Sequence, residues 1–125
     1  MAEHADYNIN LDDKFGQSAL IDIDSEVAAV AEDWFNQTLT TVNESAVRLG
    51  VLHGEFHWHK HEVEDEFFLV LSGKLLIDIE GAGTVELGPH QGYTVPRGVM
   101  HCTRAPERTV VVMVEPAGVV PTGDE

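Results

Sequence analysis

His57-Trp58-His59-Lys60-His61-Glu62-Val63-Glu64-Asp65-Glu66-Phe67-Phe68-Leu69-Val70-Leu71-Ser72-Gly73 is the stretch whose reading decides the fold. In an extended strand successive side chains point to opposite faces, so residues two apart share a face. His57, His59 and His61 can therefore all project to one side. Glu66 follows five positions after His61, far enough for a short excursion and the start of a second strand, which Gly73 closes in a Ser-Gly-Lys turn. Two imidazoles from one face and a carboxylate from a neighbouring strand make most of the coordination sphere of a divalent metal.

A second informative stretch lies some forty residues on, at Gly92-Tyr93-Thr94-Val95-Pro96-Arg97-Gly98-Val99-Met100-His101. Pro-x-Gly is a tight-turn signal, and His101 follows its glycine by three residues at the start of a strand. A distant part of the chain thus supplies a third imidazole.

Outward from these two stretches the chain reads as short strands with frequent Gly and Pro punctuation. Strands are expected over Thr38–Val42, Ala46–Leu52, His57–His61, Glu66–Leu71, Lys74–Glu80, Thr84–Leu87, Tyr93–Val95, Val99–Thr103 and Thr109–Glu115. Such a pattern means a sandwich or barrel. Phe67–Leu71 and Val110–Val114 are apolar on both faces, so both faces must be covered. The barrel interior takes one face, and a helix or a second subunit takes the other, which leads us to expect a homodimer. Before the strands, Val27, Val30, Ala31, Trp34 and Phe35 form one stripe at helical spacing, capped by Asp24 or Ser25, and predict a helix over residues 24–37. The expected organisation is one domain over residues 1–125. An arm at 1–23, with a short strand around Ala19–Ile23, precedes the helix; the barrel covers 38–115 and a Gly/Pro-rich loop or arm covers 116–125.

A length of 125 residues with 43% hydrophobic residues suffices for a core without metal or disulfide support. The net charge of −15 argues against nucleic acid and anionic membrane surfaces as partners. No apolar run approaches the roughly 20 residues that span a bilayer, and the polar, acidic N-terminus lacks the marks of a signal peptide. Cys102 is the single cysteine, which rules out an intrachain disulfide and fits a reducing compartment. A cytoplasmic location is the expectation.

With both motifs in place, the chain resembles the small single-domain cupins of the cupin-2 type. The family pattern Gly-x5-His-x-His-x3-4-Glu-x6-Gly is matched by His59, His61, Glu66 and Gly73. The second pattern, Gly-x5-Pro-x-Gly-x2-His-x3-Asn, is matched by Pro96, Gly98 and His101. Four residues rather than five separate Gly54 from His59, three separate Gly92 from Pro96, and Ala105 replaces the final Asn. These departures change loop length and one supporting residue but not the ligand types. The motifs cover about residues 50–115. The preceding helix and the ending Glu115-Pro116-Ala117-Gly118 are similar to bacterial cupins described as mannose-6-phosphate-isomerase-like, a likeness of fold rather than of reaction. The resemblance implies an all-β double-stranded β-helix, or jelly-roll barrel, with a short N-terminal helix. It also implies one divalent metal held by His59, His61, Glu66 and His101. Three imidazoles and a carboxylate suit Fe, Mn, Ni, Zn, Co or Cu and leave positions for water or substrate. Asp65 is a rival to Glu66, although the six residues between Glu66 and Gly73 favour Glu66.

The expected function is that of a metal-dependent enzyme acting on a small oxygen-containing organic substrate by dioxygenase- or isomerase-type chemistry. The rival is a cupin that binds or senses a small ligand without turning it over. His57 and Glu55, which share the parity of the ligands, are candidate catalytic groups for proton movement. Each has a plain alternative: a packed or rim imidazole for His57, an outward carboxylate for Glu55. Tyr93, Met100 and Met113 are candidate pocket residues. His53 and His90, beside turn glycines, are expected in solvent, and Cys102 should face away from His101.

Overall fold

The structure is a computed structural model and describes residues 7–123. Among the described residues there are nine elements: β1 (Asn8–Asn10), α1 (Ile23–Ala28), β2 (Trp34–Val42), β3 (Ser45–Glu55), β4 (Glu66–Ser72), β5 (Leu75–Ile79), β6 (Gly83–Leu87), β7 (Gly92–Val95) and β8 (His101–Pro116). Strands β1-β2-β3-β8-β4-β7 follow one another by hydrogen bonding, and β5 joins β6 to β8. All pairings are antiparallel except β1 on β2. This is a jelly-roll barrel, and β8 is its spine. The 16-residue strand pairs with β5 over His101–Arg104 and with β4 over Val110–Val114, while lying along β3 for most of its length.

The two faces of each strand sort by parity. Trp34, Leu52, Phe56, Phe68, Val70, Leu75, Ile77, Val95, Val111 and Met113 fill the barrel interior. Leu39, Leu49, Val51 and Val110 face outward into a second apolar cluster with Val30. Phe15, Ile21, Ile23 and Val27 of the N-terminal segment pack against it. The doubly apolar strands thus find part of their second cover within the same chain.

Four expectations require correction. The helix is six residues long, not fourteen, and its N-cap is Asp22, whose Oδ1 accepts from the Ser25 N–H at 3.3 Å. Trp34 and Phe35 open β2 instead, paired with Leu52 and Val51. The stripe at 27, 30, 31, 34 and 35 is helical in spacing, but Trp34, Asn36 and Thr38 also alternate as a strand does. Pairing to β3 outweighs local propensity there. Ala19–Asp22 forms no strand; the N-terminal strand is β1, further back. The two strands expected over 99–115 are one, bent at the exposed Pro106, Glu107 and Arg108. His57–His61 is irregular apart from a bridge in which His59 and His101 exchange backbone hydrogen bonds of 2.9 and 2.8 Å.

Between β4 and β5, Gly73 adopts φ +88° against β8. A Cβ there would lie 2.5 Å from Thr109 Oγ1 and 2.7 Å from the Arg108 carbonyl oxygen, and the Thr109 hydroxyl also takes the Lys74 N–H at 3.0 Å. Gly73→Ala is expected to lower the unfolding free energy by about 2 kcal/mol or more. Denaturant titration checks this; an unchanged midpoint would show that the turn relaxes freely.

Candidate metal centre

The irregular His57–His61 segment and the turn ahead of β8 are joined directly. The His59–His101 bridge fixes one side, and the Gly98 N–H donates to the His61 carbonyl at 2.7 Å on the other. The Pro96-Arg97-Gly98 turn therefore docks onto the segment that carries two histidines. β4 contributes Glu66 from its first residue. The result brings together His59, His61, Glu66 and His101, all buried, with one potential ligand atom from each within 4.8 Å of the others.

Hydrogen bonding prepares these groups. His59 Nδ1 donates to the His57 carbonyl at 3.0 Å, and His101 Nδ1 donates to the Val99 carbonyl at 2.9 Å. Each bond places the proton on Nδ1 and leaves a lone pair on Nε2, the usual arrangement of metal-binding histidine. His61 Nε2, His101 Nε2 and Glu66 Oε1 are buried and have no hydrogen-bond partner. Glu66 Oε1 stands 3.5 Å from His61 Nε2 and 3.4 Å from His101 Nε2, longer than normal hydrogen bonds. Acceptors that converge in a dry interior without a donor between them are costly unless a cation fills the gap. The donor set fits one divalent transition metal.

Electrostatics agree with that state. Burial, and after it the neighbouring His101, lowers the His59 pKa to about 4, so the ring is neutral and able to ligate at neutral pH. Burial opposes charge on Glu66, but its contacts with His101, His61 and Glu115 outweigh this and hold the carboxyl below its usual range. Behind Glu66, on the adjoining strand, Glu115 is pushed up by burial and by the Glu66 charge, with Arg48 pulling against both. Arg48 Nη1 donates to Glu115 Oε2 at 2.5 Å with both side chains fully buried, and Arg48 Nη2 also donates to the Ala117 carbonyl at 3.2 Å.

A cavity of about 30 Å³ opens beside the ligands, room for roughly two waters. Trp34, Leu52, Phe56, Phe68, Met113 and Pro121 supply its apolar wall; His59, Glu66, Asn36 and Thr103 supply its polar atoms. Pro121 comes from the C-terminal segment, expected as a loop or arm but in fact folded over the site. Val119, Pro121 and Gly123 are buried, and the Thr122 carbonyl accepts from His57 Nε2 at 2.6 Å. Gly123 lies so close to His59 that a Cβ on it would approach the His59 Cβ to 2.5 Å.

The other expected site residues sort clearly. His57 is half-buried and turned to Thr122, its ring 5.3 Å from that of His59. It braces the C-terminal segment and does not line the cavity. Glu55 is exposed; its Oε2 lies 4.0 Å from Cys102 Sγ, on the opposite side of β8 from the ligands, and it borders a shallow cleft with Arg104 and Pro106. A general base at Glu55 is therefore set aside: a register shift between Leu52 and Gly54 breaks the parity that would have turned it inward. Asp65 is exposed and takes the Arg97 N–H at 2.9 Å, which leaves Glu66 as the carboxylate at the cluster. Cys102 faces away from the cluster and donates to the Phe56 carbonyl at 3.0 Å; burial and the Glu55 charge push its thiol up to about 11. Met113 lines the cavity, Tyr93 packs against the core, and Met100 does neither. His53 and His90 are exposed. Asn36, Arg48, Glu115 and the C-terminal segment escape sequence reasoning. The signal for the first three was strand parity, since each sits on the inward face of its strand.

Comparison with known proteins agrees with this architecture. The Cupin domain family model (Cupin_2) matches residues 47–115. The uncharacterized protein YdbB of Bacillus subtilis (strain 168) is 42% identical over 86 residues, covering 69% of this chain and 76% of that protein. A cupin-2 domain containing protein from Shewanella frigidimarina superposes with a TM-score of 0.73 at 28% identity, over 78% of this chain and 94% of that one. A conserved protein with a double-stranded β-helix domain from Klebsiella pneumoniae shares the fold, at TM-score 0.68 and 18% identity over 83% of this chain and 89% of that one.

The lowered His59 pKa gives a signed expectation for the metal-free protein. A depressed folded-state value means that stability present above the unfolded pKa of 6.5 is lost as pH falls toward 4. The stability difference between wild type and His59→Gln should therefore shrink by about 3 kcal/mol from pH 7 to pH 4. Denaturant titrations across that range check it, and a pH-independent difference would contradict a neutral buried His59.

Proposed function

The chain belongs to the cupin-2 family, and from that premise we propose that it is a metal-dependent enzyme acting on a small oxygen-containing organic substrate, by dioxygenase- or isomerase-type chemistry. The observation that carries the reading is the convergence of His59, His61, Glu66 and His101, with three buried, unpartnered side-chain atoms, beside a mainly apolar pocket. His59, His61, Glu66 and His101 would hold one divalent ion of Fe, Mn, Ni, Zn, Co or Cu. When bound, such an ion supplies Lewis-acid polarisation of a substrate oxygen, or O2 chemistry if it is Fe(II). The apolar side chains of Trp34, Leu52, Phe56 and Phe68 wall one side of the site, and low polarity there strengthens the polar interactions beside it. His57 keeps a positioning role: through Thr122 it holds the C-terminal segment, and through its own carbonyl it orients His59.

A second reading, a cupin that binds or senses a small ligand without turnover, is favoured by one observation. Among the described residues, the titratable side chains lining the cavity are His59 and Glu66, both assigned to the metal. A reaction needing a separate general base would lack one. Chemistry that the metal and substrate carry between them would not.

The proposal includes a homodimer in a reducing, cytoplasmic setting. Leu11, Leu20, Val42 and Val63 remain exposed, and Cys102 is buried and unpaired. Among the described residues no helix is long and apolar enough to cross a membrane. Sedimentation should give twice the chain mass, and a monomer would remove the dimer from the proposal.

Element analysis of anaerobically purified protein is expected to find about one transition-metal ion per chain. His101→Ala should bind it at least about 100-fold more weakly and abolish oxygen uptake or isomerisation against a panel of small hydroxy-ketones, diketones and sugars. Full metal content and turnover in His101→Ala would overturn the assignment; metal binding by wild type with no turnover across the panel would favour the sensing reading.

A further inference from the structure

Asn36 is the polar group of the cavity that neither the ligand cluster nor the fold accounts for. It lies on the inward face of β2 between Trp34 and Thr38, is only 7% exposed, and lines the same cavity as His59 and Glu66. Its Oδ1 is buried and has no hydrogen-bond partner. Its cross-strand neighbour, Gly50, has no side chain with which to donate. A Cβ on Gly50 would in any case meet Val111 Cγ1 at 2.9 Å and Met113 Cε at 3.1 Å, so the space opposite Asn36 is taken by apolar atoms. Leaving a buried amide oxygen unpaired costs about 1–3 kcal/mol, and a leucine of similar size would avoid that cost. A site built to bond a polar group on a ligand rejects analogues that lack it, because its own buried atom is then left unpaired.

We infer that Asn36 determines substrate class, accepting a hydrogen bond from a hydroxyl on a compact substrate whose other oxygen meets the metal; this rests on the metal reading above. The ligand must present a donor to Oδ1. Its body must be short, since the space beside His59 and Glu66, walled in part by Pro121, is only about 30 Å³. A short hydroxy acid or hydroxy-carbonyl compound meets both conditions.

The test uses full-length protein loaded with Co(II), titrated with glycolate and with acetate and read by the visible spectrum of the metal. Both probes offer a carboxylate to the ion, and glycolate adds a hydroxyl. Any preference that glycolate gains by chelating the metal is common to all variants, so the change in preference on mutation isolates Asn36. Wild type should prefer glycolate, and Asn36→Leu should cut the glycolate-to-acetate preference about five- to tenfold while changing acetate and Co(II) affinity less than about twofold. Asn36→Leu should also unfold at an equal or higher denaturant concentration, since it removes an unpaired buried polar atom. Asn36→Ala provides the same comparison should the leucine not fit. An unchanged preference in a folded variant would overturn the inference while leaving the metal reading intact, as would a lowered midpoint with unchanged preference, the mark of a purely structural Asn36. Failure of wild type to take up Co(II) would overturn both.

Discussion

Three converging side-chain atoms without a hydrogen-bond partner, buried where water does not reach, are the constraint around which this barrel is built. His61 Nε2, His101 Nε2 and Glu66 Oε1 are each buried and unpartnered, and the backbone fixes two of the three rings so that their lone pairs stay turned inward. Such an arrangement is unfavourable in isolation. A bound cation converts the same geometry into a favourable one, so folding and metal binding should be linked. The carboxylate is supported in turn. Glu115 and Arg48 lie behind Glu66 as a buried pair, and breaking a buried pair by removing one partner leaves an uncompensated charge.

The long strand β8 transmits this constraint to the fold. Its first residue, His101, belongs to the buried His/Glu cluster, its Val110–Val114 segment packs both against β4 and along β3, and its Glu115 reaches back to the site. The C-terminal segment then lies along one side of the site, with Pro121 in the cavity wall and Gly123 against His59. The Thr122–His57 hydrogen bond ties that segment to the site.

Much of this was legible in the sequence, for identifiable reasons. The four residues His59, His61, Glu66 and His101 stand at spacings that suit a common site, and the Gly and Pro punctuation marks the strands between them, so the jelly-roll and the His/Glu cluster were both readable. The errors came where two periodicities coincide. Trp34 and Phe35 complete a helical stripe begun by Val27 and also begin an alternating strand, and only pairing with Leu52 and Val51 decides between them. Parity failed at Glu55 because the strand register shifts just before it. Asn36, Arg48 and Glu115 were invisible as site residues because a polar residue in a strand is ordinarily read as outward-facing. The packing of residues 117–123 along the site depends on long-range contacts that carry no local signature.

The most direct test of the central claim is anomalous diffraction at a metal absorption edge, on crystals of the protein loaded with a single transition metal. The account predicts one strong peak per chain, bounded by the side chains of His59, His61, Glu66 and His101. Absence of a peak there, with those four side chains bonded to water or to one another, would contradict it.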